Sequence, residues 1–241
     1  MGNLAAQILR IPISRTWPLV DGGKFPAKAF ENEVIEFGAV AFREGHDQIA
    51  VDLVLTNPSG ITTRIPLKEG SPGLDQWVAK VQLDQVGIWS YQVSAWDDRY
   101  HTWLHNTEVK LQASVDEELM MLEGIALLEQ LAEVAPAATK KKFIAIAKVL
   151  GEKNLSAAER LEMALAQDLT ALAEANPIRF LENLSDPAMV NCERKLAGSG
   201  AWYEFFPRSE GAKKNKDGSW VSGTFKTAQK SLARVKEMGF D

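Results

Sequence analysis

Near Asp116 the apolar residues stop recurring at every second position and begin recurring at every third or fourth. A strand sends alternate side chains to opposite faces, whereas a helix returns them to one face after about 3.6 residues, so no single element satisfies both spacings. A chain with this switch must divide into a sheet-forming part and a helix-forming part.

Before the switch, residues 33–42 place Ile35, Phe37, Ala39 and Ala41 on one strand face, and residues 49–56 do the same with Ile49, Val51, Leu53 and Leu55. Trp77, Ala79, Val81 and Leu83 form a third set, and Trp89, Tyr91, Val93 and Ala95 a fourth. Val109 and Leu111 open a fifth. Period-two alternation buries one face and wets the other. Turn signals such as Asn57-Pro58-Ser59-Gly60 and Ser71-Pro72-Gly73 separate the sets. Residues 8–113 are therefore expected to form an antiparallel β-sandwich.

After the switch, Asp116 is placed to cap a helix whose face carries Leu119, Leu122 and Ala126, with Ile125 and Leu128 beside it. Pro136 suits the first turn of a second helix, with Phe143, Ile146, Ala147 and Leu150 as its stripe and Gly151 at its end. Ser156-Ala157-Ala158-Glu159 reads as a capping box ahead of Leu161, Leu165, Leu169 and Leu172. Beyond Asn176-Pro177, residues 178–184 read as a short fourth helix. Helices this short are unstable alone and pack as an antiparallel bundle when their connections are short.

A third zone follows. Residues 201–206 read as a strand ended by Pro207, and a polar loop carries Lys213, Lys214 and Lys216. Thr224 then caps a helix bearing Phe225, Ala228, Leu232 and Val235, with Gly239 past its end. One strand, loop and helix make the first β/α unit of something larger, because parallel sheets need several strands and helices on their faces. The chain stops at Phe240-Asp241, where a next strand is expected, and so reads as truncated. An unpaired strand edge there is expected to make residues 190–223 the first place a protease cuts. The expected fold is multidomain: an all-β, immunoglobulin-like sandwich (1–114), an inserted α-helical bundle (115–189), and the start of a truncated (β/α)8 barrel (190–241).

Composition excludes some functions. A net charge of −5 over 241 residues, with pI near 5.4, gives no reason to expect nucleic acid or an anionic membrane as partner. No run approaches the ~20 apolar residues of a membrane span, and the first ten residues have no basic n-region or cleavage signal. The lone Cys192 precludes an internal disulfide and suits a reducing compartment. A soluble, cytoplasmic protein is expected.

Several residues invite a chemical reading. Glu44-Gly45-His46-Asp47 sets an imidazole beside two carboxylates, but it lies between strands, where Gly and Asp build turns and no second ligand cluster is near. His101 and His105 stand at i, i+4, yet their neighbours read as strand and loop and the HExxH glutamate is missing. Of Trp17, Trp77, Trp89, Trp96 and Trp103, at least three are expected in cores rather than on a sugar-stacking platform. Lys140-Lys141-Lys142 and Lys213-Lys214 read as solvated faces, and Cys192 as a packed, inert thiol. No glycine-rich phosphate loop or nucleophile elbow occurs. Chemistry alone therefore assigns no catalytic, substrate-binding, cofactor or metal residue.

Three strings carry a resemblance. Gly23-Lys24-Phe25-Pro26-Ala27-Lys28-Ala29, Phe42-Arg43-Glu44-Gly45-His46-Asp47 and Trp202-Tyr203-Glu204-Phe205-Phe206-Pro207-Arg208-Ser209 resemble, in order and spacing, runs of the maltose-1-phosphate maltosyltransferases. Trp96-Asp97 and Met238-Gly239-Phe240-Asp241 agree as well. The resemblance implies a homodimeric enzyme of the α-amylase superfamily, with a β-sandwich, an inserted bundle, a (β/α)8 barrel and a C-terminal β-domain. Such an enzyme moves maltosyl units from α-maltose 1-phosphate to the non-reducing end of an α-1,4-glucan. The mechanism is retaining, with one carboxylate as nucleophile and another as acid and base. Both lie at the C-terminal ends of later barrel strands, so the resemblance implies that this chain alone is inactive. Structural roles are expected for Glu204 and Arg208.

Overall fold

The computed structural model describes residues 10–241; the reading of residues 1–9 as free of a leader lies outside the described residues. Two sheets face one apolar core. The first orders its strands β1 (Ile13–Trp17), β3 (Val34–Ala41), β7 (Gln76–Gln82) and β6 (Lys68–Glu69). The second runs β2 (Ala27–Phe30), β10 (Ala188–Glu193), β8 (Gly87–Asp97), β4 (Ile49–Thr56) and β5 (Thr62–Pro66), with β9 (Phe180–Leu184) also paired to β8. All pairings are antiparallel except β2 with β10. The period-two sets account for the core: Phe37, Ala39 and Ala41 meet Val51, Leu53, Leu55, Trp89, Tyr91, Val93 and Ala95, all buried.

Between β8 and β9 the chain leaves the sheet for α1 (Arg99–Ala113), α2 (Glu117–Val134), α3 (Ala137–Leu150), α4 (Ala157–Leu165) and α5 (Leu169–Ala175). These helices close a second core around Met121, Leu128, Phe143, Ile146, Leu150 and Leu169. Asp97 pairs directly with Phe180. The helical unit thus leaves and re-enters the sheet at one point on one strand.

Four expectations are corrected. Helix starts at Arg99, so Val109 and Leu111 belong to α1 rather than to a fifth strand. Asp98 caps it by accepting the N–H of His101 at 3.1 Å, and Tyr100, Trp103 and Thr107 return to one face at helical spacing. Aromatic, strand-favouring residues at those positions hide the period from a sequence reading. Secondly, residues 180–184 are strand, not helix: pairing to β8 fixes them, while their mostly exposed side chains carry no alternation. Thirdly, Val190 and Cys192 lie in the sheet core on β10, not at the start of a further unit. Fourthly, residues 201–206 have no strand partner ladder: the Ala201 carbonyl accepts the N–H of Asp241 at 2.9 Å, and the Phe206 carbonyl accepts turn bonds from Ser209 and Glu210.

The first face proposed for α2 also faces outward. Met120, Met121, Gly124, Leu127, Leu128, Leu131 and Ala132 are buried, and Leu119 and Leu122 are exposed. Trp103 sets this register: its indole donates to the Met120 carbonyl at 2.8 Å and lies where a Cβ on Gly124 would sit, 2.3 Å from the ring. Only glycine admits the ring there.

The remaining elements are short: α6 (Leu196–Ser199), the β11 (Lys213–Lys214) and β12 (Trp220–Val221) hairpin, α7 (Phe225–Ala228) and α8 (Leu232–Glu237). Thr224 caps α7 in a capping box, as Ser156 does for α4. Of its apolar positions, Ala228 and Val235 are buried, while Phe225 is 84% exposed.

Candidate functional site

Where the helical unit joins the sheet, β4, the end of β8, the start of α1 and the end of α5 surround a cavity of about 510 Å³. The start of α1 points two side chains at α5. His101 Nδ1 lies 2.7 Å from Asp98 and its Nε2 lies 3.4 Å from Glu174, so both ring nitrogens meet carboxylates. The Asp98 hydrogen bond, above all, and the charges of Asp98 and Glu174 raise the His101 pKa, against the opposing effect of burial. Held this way the protonated imidazole is favoured, and in that form both ring nitrogens are donors already directed at carboxylates. One position before it, the Tyr100 hydroxyl reaches Thr170 Oγ1 at 2.8 Å.

On the sheet side, Asp52 of β4 is 5% exposed. Its Oδ2 accepts from Arg179 at 2.9 Å and faces Arg64 at 3.6 Å. Arg64 also reaches Glu182 at 3.1 Å, and the Ser94 hydroxyl donates to Glu182 at 2.6 Å. The Arg179 guanidinium lies 4.7 Å from the Trp96 ring centroid, and its Nε is buried without a hydrogen-bond partner. Removing one member of such a group strands a buried charge. The group therefore locks the returning chain, at Arg179 and Glu182, to β4 and β8.

The residues singled out from sequence separate here. In the Glu44–Asp47 turn, Gly45 has φ +97° and His46 is exposed. The turn's working residue is Arg43, which binds Asp47 at 2.6 Å and also pairs with Asp97 at the end of β8. His101 and His105 do lie on one helix, contrary to the strand-and-loop reading, but His105 is exposed while His101 is engaged by carboxylates. Among the described residues no group of three or more His, Cys, Asp or Glu side chains is arranged to hold a metal ion.

Trp89, Trp96 and Trp103 are buried, the last in the helical core. Trp17 and Trp77 are half-buried and donate to Glu36 and to the Ala41 carbonyl. Cys192 is buried, and burial pushes its thiol pKa up. Lys140, Lys141, Lys142, Lys213 and Lys214 are exposed. Arg208 offers its carbonyl to the Gly223 N–H, and Glu204 is exposed. Sequence reasoning passed over Asp52, Asp98, Glu174 and Arg179. Asp98 carries a local signal, a helix cap three residues before His101, whereas Asp52 and Arg179 carry none, their partners lying as far as 127 positions away.

No helix among the described residues is long and apolar enough to cross a membrane. The class that the fold defines is a two-sheet unit carrying a helical insertion, the two joined by ion pairs. The chain belongs to the α-1,4-glucan:maltose-1-phosphate maltosyltransferase family, whose domain N/S profile matches residues 9–194. It is 39% identical over 234 residues to the α-1,4-glucan:maltose-1-phosphate maltosyltransferase 1 of Streptomyces coelicolor, covering 96% of this chain and 34% of that protein. Against the maltosyltransferase of Mycobacterium tuberculosis the identity is 34%, covering 96% and 36%. For that of Corynebacterium pseudotuberculosis it is 34%, covering 96% and 35%. The chain spans about a third of the length of the curated relatives it matches.

Proposed function

We propose that this chain supplies the non-catalytic N-terminal modules of a cytoplasmic maltosyltransferase that transfers maltosyl units from maltose 1-phosphate to α-1,4-glucan. The observation that carries this is the family match, which runs unbroken through both the two-sheet unit and the helical insertion. On this reading the sheets are an immunoglobulin-like sandwich, and residues from about 195 onward begin a (β/α)8 barrel. The reacting carboxylates belong, on the same reading, to the part of the relatives beyond the matched third. The purified chain is therefore expected to release no phosphate from maltose 1-phosphate above a protein-free control. Joined to the remaining two thirds of the Streptomyces coelicolor enzyme, it is expected to support release. Turnover by the chain alone would overturn the assignment.

A second, compatible reading is assembly. Leu119 and Leu122 on α2, with Val115 just before it, are exposed apolar side chains close together along one helix, and Leu122 is 60% exposed. A helix face of this kind suits a homodimer contact. Sedimentation of the chain and of Leu122→Glu tests it: a dimer that the variant turns into a monomer supports the contact, and a monomeric parent removes it.

A further inference from the structure

The cavity at the join is lined by the aromatic Trp77, Trp96 and Tyr100 and by the aliphatic Leu127 and Leu131. Asp52 also lines it, buried on β4, and both of its arginine partners meet the same oxygen, Oδ2. Oδ1 takes no hydrogen bond from a described residue. That oxygen is reached by solvent rather than sealed in protein, so it is open to an incoming donor. The lining carries both signs, with Asp52, Asp98 and Glu174 beside Lys68, Arg99 and the carboxylate-held His101. A ligand that brought a net charge would upset these pairs.

Aromatic and aliphatic walls call for apolar faces, the free oxygen calls for a hydroxyl donor, and the rim of both signs calls for neutrality. A sugar ring has all three properties: C–H faces that pack on indole and phenol rings, and a girdle of hydroxyls. The volume lies within the range of small-molecule sites and accommodates roughly one or two such rings.

We propose that this cavity is a binding site for a neutral mono- or disaccharide, with Asp52 Oδ1 as a hydroxyl acceptor and Trp77 and Trp96 as packing surfaces. The assignment differs from an exposed tryptophan platform, because the sugar sits between the sheet and the helical unit and so senses how they are docked. It stands on the cavity alone and does not depend on the transferase reading, since binding is read without turnover.

The test is a titration of the full chain with maltose, followed through the indole N–H signals in ¹H–¹⁵N spectra. Saturable shifts of the Trp77 and Trp96 signals are expected, with Trp202 and Trp220 unmoved. Ala50→Phe adds a ring to the cavity wall without removing any partner of Asp52. It is expected to weaken maltose binding at least tenfold while the circular dichroism spectrum is retained. If that variant fails to fold, the parent's indole shifts decide by themselves. The proposal is overturned by the absence of any saturable indole shift, or by shifts confined to Trp202 and Trp220. It is equally overturned by a response to tetramethylammonium in place of maltose, or by unchanged affinity in a folded Ala50→Phe chain.

Discussion

The helical insertion and the C-terminal region use the same local device to opposite effect. Ser156 opens α4 and Thr224 opens α7, each with a reciprocal capping box. Behind Ser156, Ala157, Arg160, Leu161 and Ala164 are buried, and Arg160 pairs with Glu118 across the unit. Behind Thr224 the chain buries Ala228 and Val235, while Phe225, Leu232, Trp202 and Phe206 stay exposed. A cap decides where a helix begins; the surface it meets decides how strongly it is held.

The contrast can be broken by four measurements. The largest difference is expected between two phenylalanines. Phe143 is wholly buried, and Phe143→Ala should cost roughly 3–5 kcal/mol in denaturant unfolding. Phe225→Ala should stay within about 0.5 kcal/mol. Equal losses would mean that the C-terminal region shares the main core. Next, Gly124→Ala sets helix preference against packing. Alanine gains about 1 kcal/mol of propensity in a helix, but its Cβ drives into the Trp103 ring and should cost roughly 1–3 kcal/mol overall. A stabilised variant would show that Trp103 can move aside.

Thirdly, Ser156→Ala should lower global stability by about 1 kcal/mol. Thr224→Ala should leave the main transition in place and speed amide exchange only around α7. The smallest effect concerns pH. The raised pKa of His101 favours the folded state when the ring is protonated. That contribution is therefore fully present below about pH 6.5 and fades as pH rises through the raised folded value. Its half-exposed setting keeps the amount to about 0–1 kcal/mol. His101→Gln should flatten the parent's loss of stability between mildly acidic and mildly alkaline pH. An unchanged pH profile would place the source elsewhere.

The same contrast explains what the sequence discloses. Strands β3, β4, β7 and β8 are legible because each packs on the core with one face, leaving a period-two record. The capping boxes are legible because all their parts lie within four residues. Strand β9 leaves no such record: it owes its conformation to Ser94, Ala95 and Asp97 on β8, some ninety positions earlier. Helix α1 is hidden because Tyr100 and Trp103 favour strands in isolation, while the cap at Asp98 and the fit against Gly124 favour helix. The seam was invisible for a related reason. Asp52, Arg179 and Glu174 are ordinary charged residues until folding makes them neighbours.

The pairing of Asp97 with Phe180 has an engineering consequence. Opposed residues of an antiparallel pair lie about 5 Å apart, so residues 98–179 form a loop whose two ends already touch. The closure entropy of such a loop grows only logarithmically with its length, about 0.6 kcal/mol per doubling. Lengthening, shortening or exchanging the segment therefore costs the parent sheet little through its ends. Excising residues 98–178 while keeping Arg179, whose guanidinium holds Asp52, and closing the gap with a tight turn would bring β8 and β9 close to a plain hairpin with the strand order around it retained.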